Sequence, residues 1–154
     1  MTRKPKEAPA PKERIVKVAD WAAERGDAVI VTLGLGSCVA IMLHDANAGA
    51  GAMAHILLPS KSLARDVTNL AKFPETAVPL LVEQLTALML AQLMTPGSVQ
   101  MGERNVAAAR DVLRRIGIPV MREAVGGGAG RSVRFYVADG RVEIRSVGVD
   151  AIVL

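Results

Sequence analysis

The 154-residue sequence predicts a layered α+β domain, a sandwich of mostly antiparallel and mixed sheet with two main helices. Three observations predict it. Short apolar runs rich in β-branched residues, separated by turn residues, fill residues 15–58. Two segments with apolar residues at helical spacing follow. Asp139-Gly140 then sits between two alternating runs, the strongest short signal for a β-hairpin. With 51% hydrophobic and 22% charged residues the chain is suited to burying one core, and no repeat or second domain is visible.

Met1–Arg14 combines Lys and Arg with three prolines and little apolar bulk, so it reads as a disordered tail that leaves 15–154 as the single domain. Ile15, Val16 and Val18 open that domain as a short strand. Asp20 to Asp27 reads as a loop, and Ala28 to Leu33 as a strand. Gly34-Leu-Gly-Ser37 interrupts the apolar run, Cys38 to Leu43 resumes it, and His44 to Gly49 supplies a turn. Met53 to Leu58 returns as a strand ended by Pro59, and residues 60–72 form a polar surface loop, a frequent place for selectivity.

Thr76 is placed to cap a helix running to about Met94, with Leu81, Leu85, Leu88, Met89 and Leu93 at helical spacing and Pro79 at the third position. A second helix over Glu103–Ile116 presents Val106, Ala109, Leu113 and Ile116 on one face, and Gly117 and Pro119 end it. Gly126 to Gly130 reads as a structural turn, with an anion nest as the rival reading. A two-residue turn at Asp139-Gly140 sets Val137 opposite Val142 and Phe135 opposite Ile144. The solvent face then pairs Tyr136 with Glu143 and Arg134 with Arg145.

Composition excludes several classes of function. Nineteen Lys and Arg against fifteen Asp and Glu give a charge of +4, part of it in the tail. Two Phe, one Tyr and one Trp offer no stacking platform, so nucleic acid is not an expected partner. Residues 28–43 and 84–102 carry no formal charge, yet Thr32, Gly34, Gly36 and Ser37 break the first, and Gln84, Gln92, Pro96, Gly97 and Gln100 the second. No membrane insertion is expected, and no secretory signal follows the basic N-terminus. One cysteine rules out an internal disulfide and suits a reducing, cytoplasmic setting.

The chemistry concentrates in Val31–Cys38 and Gly51–His55. A buried lone cysteine is ordinarily structural. A hairpin loop centred between Ala46 and Asn47, however, sets Cys38 directly opposite His55, with Cβ atoms about 5 Å apart on one face. An imidazolium there and backbone N–H groups of the Gly36-Ser37 turn would lower the thiol's pKa, and the same amides would hold an oxyanion. Thr32 is placed to orient the imidazole through its second nitrogen. Asp45 is read as capping its own backbone, and His44, roughly 20 Å along the strand from Cys38, as a surface-turn residue.

Thr32-Leu-Gly-Leu-Gly-Ser-Cys38-Val-Ala and Gly51-Ala-Met-Ala-His55-Ile-Leu-Leu-Pro59 carry a resemblance to a known family. Thr76-Ala-Val-Pro-Leu-Leu81, Gly102-Glu-Arg-Asn-Val106 and Gly126-Gly-Gly-Ala-Gly-Arg131-Ser extend it. Together they resemble the chemoreceptor glutamine deamidases, the CheD family. The resemblance implies a fold related to cysteine hydrolases and toxin deamidases. It also implies a cytoplasmic enzyme converting glutamines of methyl-accepting chemotaxis receptors to glutamates, with Cys38 as nucleophile, His55 as base, Thr32 orienting it and no cofactor. A CheC-type chemotaxis phosphatase is the implied second partner. Between the first helix and Gly102 the chain looks shorter than the family's pattern, which there has a strand. That shortening supports one alternative, a non-catalytic chemotaxis regulator. A cysteine protease or transglutaminase-like enzyme would use the same dyad.

Overall fold

The computed structural model describes residues 9–85, 90–94 and 99–154. Among the described residues, ten strands form two five-stranded sheets. The first sheet contains β1 (Lys12–Val16), β3 (Ala28–Leu35), β8 (Arg131–Tyr136), β9 (Val142–Ser146) and β10 (Val149–Val153), in that order. The second runs β2 (Trp21–Arg25), β5 (Ala50–Ile56), β4 (Val39–Asp45), β6 (Leu90–Met94) and β7 (Val120–Ala124). Helices α1 (Pro74–Gln84) and α2 (Val99–Ile116) cover the outer face of the second sheet, completing three layers.

Side-chain alternation explains why every residue of β4 and β5 is buried. Val39, Ile41 and Leu43 point to Ala77, Val78 and Leu81 of α1 and to Val106, Ala109 and Leu113 of α2. Ala40, Met42 and Met53 point the other way, against Ile30, Val133, Phe135 and Ile144 of the first sheet. Two dry layers result, and the central sheet lies between them.

Several expectations are corrected. The tail expected over 1–14 lies outside the described residues at positions 1–8, but Lys12 to Arg14 already pair in parallel with Ala28 to Ile30. The segment read as a loop from Asp20 contains β2, an edge strand paired antiparallel with β5, whose Arg25 is exposed and whose half-buried Glu24 pairs with Lys12. The first helix ends at Gln84. Its N-cap is Phe73, and Thr76 Oγ1 instead donates to Leu70 O at 2.7 Å. Pro79 therefore falls inside the helix, where it removes one intrahelical hydrogen bond.

Instead of more helix, Leu90–Met94 forms β6, which pairs antiparallel with β4 and parallel with β7. Pairing inside a sheet overrides helical spacing here, and a strand therefore precedes Gly102. Leu88 and Met89, assigned to the same helix, lie outside the described residues. The second helix begins at Val99, four residues before the expected start at Glu103; Val106, Ala109 and Leu113 are buried as expected, although Ile116 is 42% exposed. Gly117, at φ +81°, ends it in the left-handed conformation.

The last hairpin is displaced by two residues from its expected register, pairing Phe135 with Val142, Arg134 with Glu143 and Val133 with Ile144. Asp139 Oδ1 accepts from Arg141 N, and Gly140 N donates to Tyr136 O, which closes a longer turn than Asp139-Gly140 alone. Because the displacement is even, every side chain keeps its face. Gly126 and Gly127 both have positive φ, and the Arg131 guanidinium donates to Gly126 O at 2.7 Å.

Gly51 marks a close approach of the two sheets. A Cβ there would lie 2.6 Å from Cε1 of fully buried Phe135. We expect Gly51→Ala to destabilise the fold by about 1–3 kcal/mol. Urea unfolding checks this, and Phe135→Leu in the same chain is expected to recover part of the loss.

Candidate active site

Thr32 and His55 belong to different sheets and meet between them. Both are fully buried. Thr32 Oγ1 lies 2.8 Å from Val16 O and 2.8 Å from His55 Nδ1. A hydroxyl has one proton, and a backbone carbonyl can only accept, so that proton goes to Val16 O. Oγ1 must then accept from Nδ1–H, and in the neutral imidazole that leaves Nε2 as the unprotonated nitrogen. Nε2 is buried and has no hydrogen-bond partner among the described residues.

The backbone of His55 is held as firmly as its ring. His55 N donates to Asp20 O at 3.0 Å, and Ala19 N donates to His55 O at 2.9 Å. Ala19 adopts φ +56°, an unfavourable conformation for a residue with a Cβ, and Asn69 Nδ2 fixes its carbonyl at 2.8 Å. Burial penalises the charged imidazolium and lowers the His55 pKa to about 4.

Cys38 follows β3 and the Gly-rich connection and lies just before β4. Gly34 takes φ +69° at an irregularity between Thr32 and Leu35 in the pairing with β8. Leu33 and Gly34 are thereby exposed while Leu35 stays in the core. Gly36 and Ser37 are half-buried in the same connection, and Cys38 is 7% exposed.

The direct partner of His55 is Ala40, not Cys38. Asp45 Oδ1 accepts from Asn47 N and Ala48 N, each at 3.0 Å, so β4 runs on to Asp45, the turn's centre moves by one residue and the cross-strand pairing shifts by two. Cys38 therefore lies one rung beyond His55, on the same inward face as Ala40 and Met42. Burial raises the thiol's pKa. The expected imidazolium–thiolate pair is thus corrected to a neutral thiol and a neutral imidazole, because both charged forms are penalised in this dry layer.

His44 is corrected as well. It is a buried residue of β4, with Nε2 2.8 Å from Val137 O and its ring edge-on to Phe135. Asp45 acts as read, capping its own turn.

Asn105 was not singled out as a site residue. Fully buried on α2, it donates from Nδ2 to Ser37 O at 2.7 Å and to Leu57 O at 3.3 Å. The available signal was an amide on the same helix face as Ala109 and Val112. The loop at 60–72 contains two short 3-10 turns, Lys61–Leu63 and Leu70–Lys72. It is pinned beside the His55 strand, since Lys72 O accepts from both Leu57 N and Leu58 N. Leu63, Val67 and Leu70 are exposed on it. Among the described residues no cluster of three His, Cys, Asp or Glu side chains is arranged to hold a metal, and no helix is long and apolar enough to cross a membrane.

Residues 86–146 match the family model described as CheD chemotactic sensory transduction. A "Chemoreceptor glutamine deamidase CheD" of Thermotoga maritima is 34% identical over 148 residues, covering 88% of this chain and 93% of that protein. A "Probable chemoreceptor glutamine deamidase CheD" of Moorella thermoacetica is 37% identical over 155 residues, covering 90% and 93%. One from Caldanaerobacter subterraneus is 33% identical over 149 residues, covering 86% and 92%. The crystal structure of a Neisseria meningitidis protein of the DUF152 family model superposes with a TM-score of 0.55 at 10% identity. It covers 84% of this chain and 76% of that one, a likeness of fold.

The lowered His55 pKa makes a signed prediction. Between the ordinary value of 6.5 and about 4, the unfolded chain binds a proton that the folded site refuses. Stability should therefore fall as pH drops through that window, by on the order of 3 kcal/mol from this residue. Comparing the pH dependence of urea unfolding for the native chain and His55→Gln checks it, and the variant should lack this component.

Proposed function

The chain belongs to the CheD family, and on that premise we propose that it is a cysteine-dependent protein-glutamine deamidase acting on chemotaxis receptors. One observation carries the mechanism: Thr32 holds the His55 tautomer whose Nε2 is free to take a proton, on the face shared with Cys38.

Cys38 Sγ–H gives its proton to His55 Nε2 as the thiolate attacks the side-chain carbonyl carbon of a receptor glutamine. Backbone N–H groups of the Gly36-Ser37-Cys38 connection stabilise the oxyanion. Protonated His55 then delivers its proton to the departing nitrogen, the C–N bond breaks and ammonia leaves a thioester on Cys38. Water attacks the thioester, His55 accepts its proton, and the C–S bond breaks to release glutamate. The proton returns to the thiol, and the cycle consumes no cofactor.

The resting site is neutral, so charge separates only once substrate is in place. Thr32 supports that separation, because its oxygen accepts from Nδ1–H in both the neutral and protonated imidazole. The reaction belongs in the cytoplasm, on receptor helices, and the loop at 60–72 supplies exposed apolar side chains beside the site for holding them. A CheC-type phosphatase is the second partner in this reading, and it would compete for the same surface.

Peptide mass spectrometry of a receptor cytoplasmic fragment checks the proposal by the mass gain of each Gln-to-Glu conversion. Cys38→Ala should abolish the gain. His55→Ala should slow it by about 10²-fold to 10⁴-fold, the ordinary worth of a general base. Thr32→Val should cost about 10-fold to 100-fold, as removal of a group orienting a functional imidazole does, while Thr32→Ser retains activity. Undiminished conversion by Cys38→Ala would end the mechanism. No conversion by the folded native chain, on a fragment that a relative modifies, would favour a binding-only regulator.

A further inference from the structure

The β4–β5 ladder ends at the pair Val39 and Ile56. Ser37 and Leu57 lie just past it, where strand pairing no longer fixes the distance between the two chains. Cys38 and His55 stand at this end of the ladder. Whatever ties Ser37 to Leu57 therefore controls how the thiol sits relative to the imidazole.

Asn105 is that tie. Its Nδ2 donates to Ser37 O at 2.7 Å and to Leu57 O at 3.3 Å, spending both amide protons on two carbonyls from different strands. Two carbonyl neighbours admit only the NH2 end of the amide, so the side chain cannot be turned over. Its Oδ1 is buried without a hydrogen-bond partner among the described residues. Burying a polar oxygen without a partner is costly, so the site carries the amide for its two donated bonds. Leu57 is fixed from its other side as well, since Leu57 N donates to Lys72 O.

We propose that Asn105 is a positioning residue, which extends the ladder by one side-chain rung and thereby sets the separation of the Cys38 thiol from His55 Nε2. The inference rests on the reading of Cys38 and His55 as nucleophile and base. Asn105 reaches the reacting atoms only through the backbone beside them. Misplacing a reacting group by about 1 Å costs on the order of 10²-fold in rate.

Alkylation of Cys38 by iodoacetamide tests this without receptor substrate. Rates are measured against pH for the native chain, Asn105→Leu, His55→Ala and the double variant, with folding followed by thermal unfolding. Leucine keeps the side-chain volume and removes both donors. Asn105→Ala serves as a second variant should leucine fail to fold. Near pH 7, where His55 is neutral, the Asn105 variant is expected to alkylate on the order of tenfold or more slowly than the native chain. It should match His55→Ala, and adding it to His55→Ala should cost nothing further, since both changes remove one coupling.

A loss of equal size in the native and His55→Ala backgrounds, or faster alkylation in Asn105→Leu, would overturn the inference while leaving the dyad intact. Equal rates for His55→Ala and the native chain would overturn the dyad, and with it any separation for Asn105 to set.

Discussion

Thr32 has a single hydroxyl proton, and Val16 O takes it. From that allocation it follows that Nδ1 of His55 must donate, and because burial keeps the imidazole neutral, Nε2 is the bare nitrogen. The constraint joins three strands, because Val16 ends β1, Thr32 lies in β3 and His55 belongs to β5 of the opposite sheet. Moving either sheet relative to the other would break the hydrogen bond that defines the tautomer. The packing of the sandwich and the protonation state of its histidine are thus one property.

The second sheet is covered on both faces, by helices outside and by the first sheet inside, and this produces the dryness that keeps the dyad uncharged. A site near the edge of the sheet would be wetter and would favour an ion pair. Ala19, in its unfavourable left-handed conformation, belongs to the same design: it turns the chain so that residues 19 and 20 pair with His55 on both sides.

Much of this was legible in the sequence. The β3, β4 and β5 strands, the face of α2 and the grouping of Thr32, Cys38 and His55 all came from local patterns. The failures have physical causes. Trp21–Arg25 hides as a loop because an edge strand tolerates charges that a central strand would not. Leu90–Met94 carries helical spacing, and only pairing with β4 and β7, contacts distant in sequence, makes it a strand. Both hairpins pair two residues away from their expected register because the turns that Asp45 and Asp139 close with their carboxylates are longer or later than the centres assumed from local turn residues. An error of one residue would have turned His55 away from Cys38; an error of two preserves the face and changes only the rung. Asn105 escaped because its partners are backbone carbonyls, which have no signature in sequence.

The seclusion of Cys38 also bears on how readily the protein is oxidised. Peroxides and disulfide oxidants attack thiolates far faster than thiols, and they need access. A thiol that is 7% exposed and pushed toward its protonated form offers neither. The sequence has no second cysteine that could trap a sulfenic acid as an internal disulfide before it oxidises further. Shelter therefore replaces repair: the same burial that keeps the thiol protonated also keeps oxidants from reaching it.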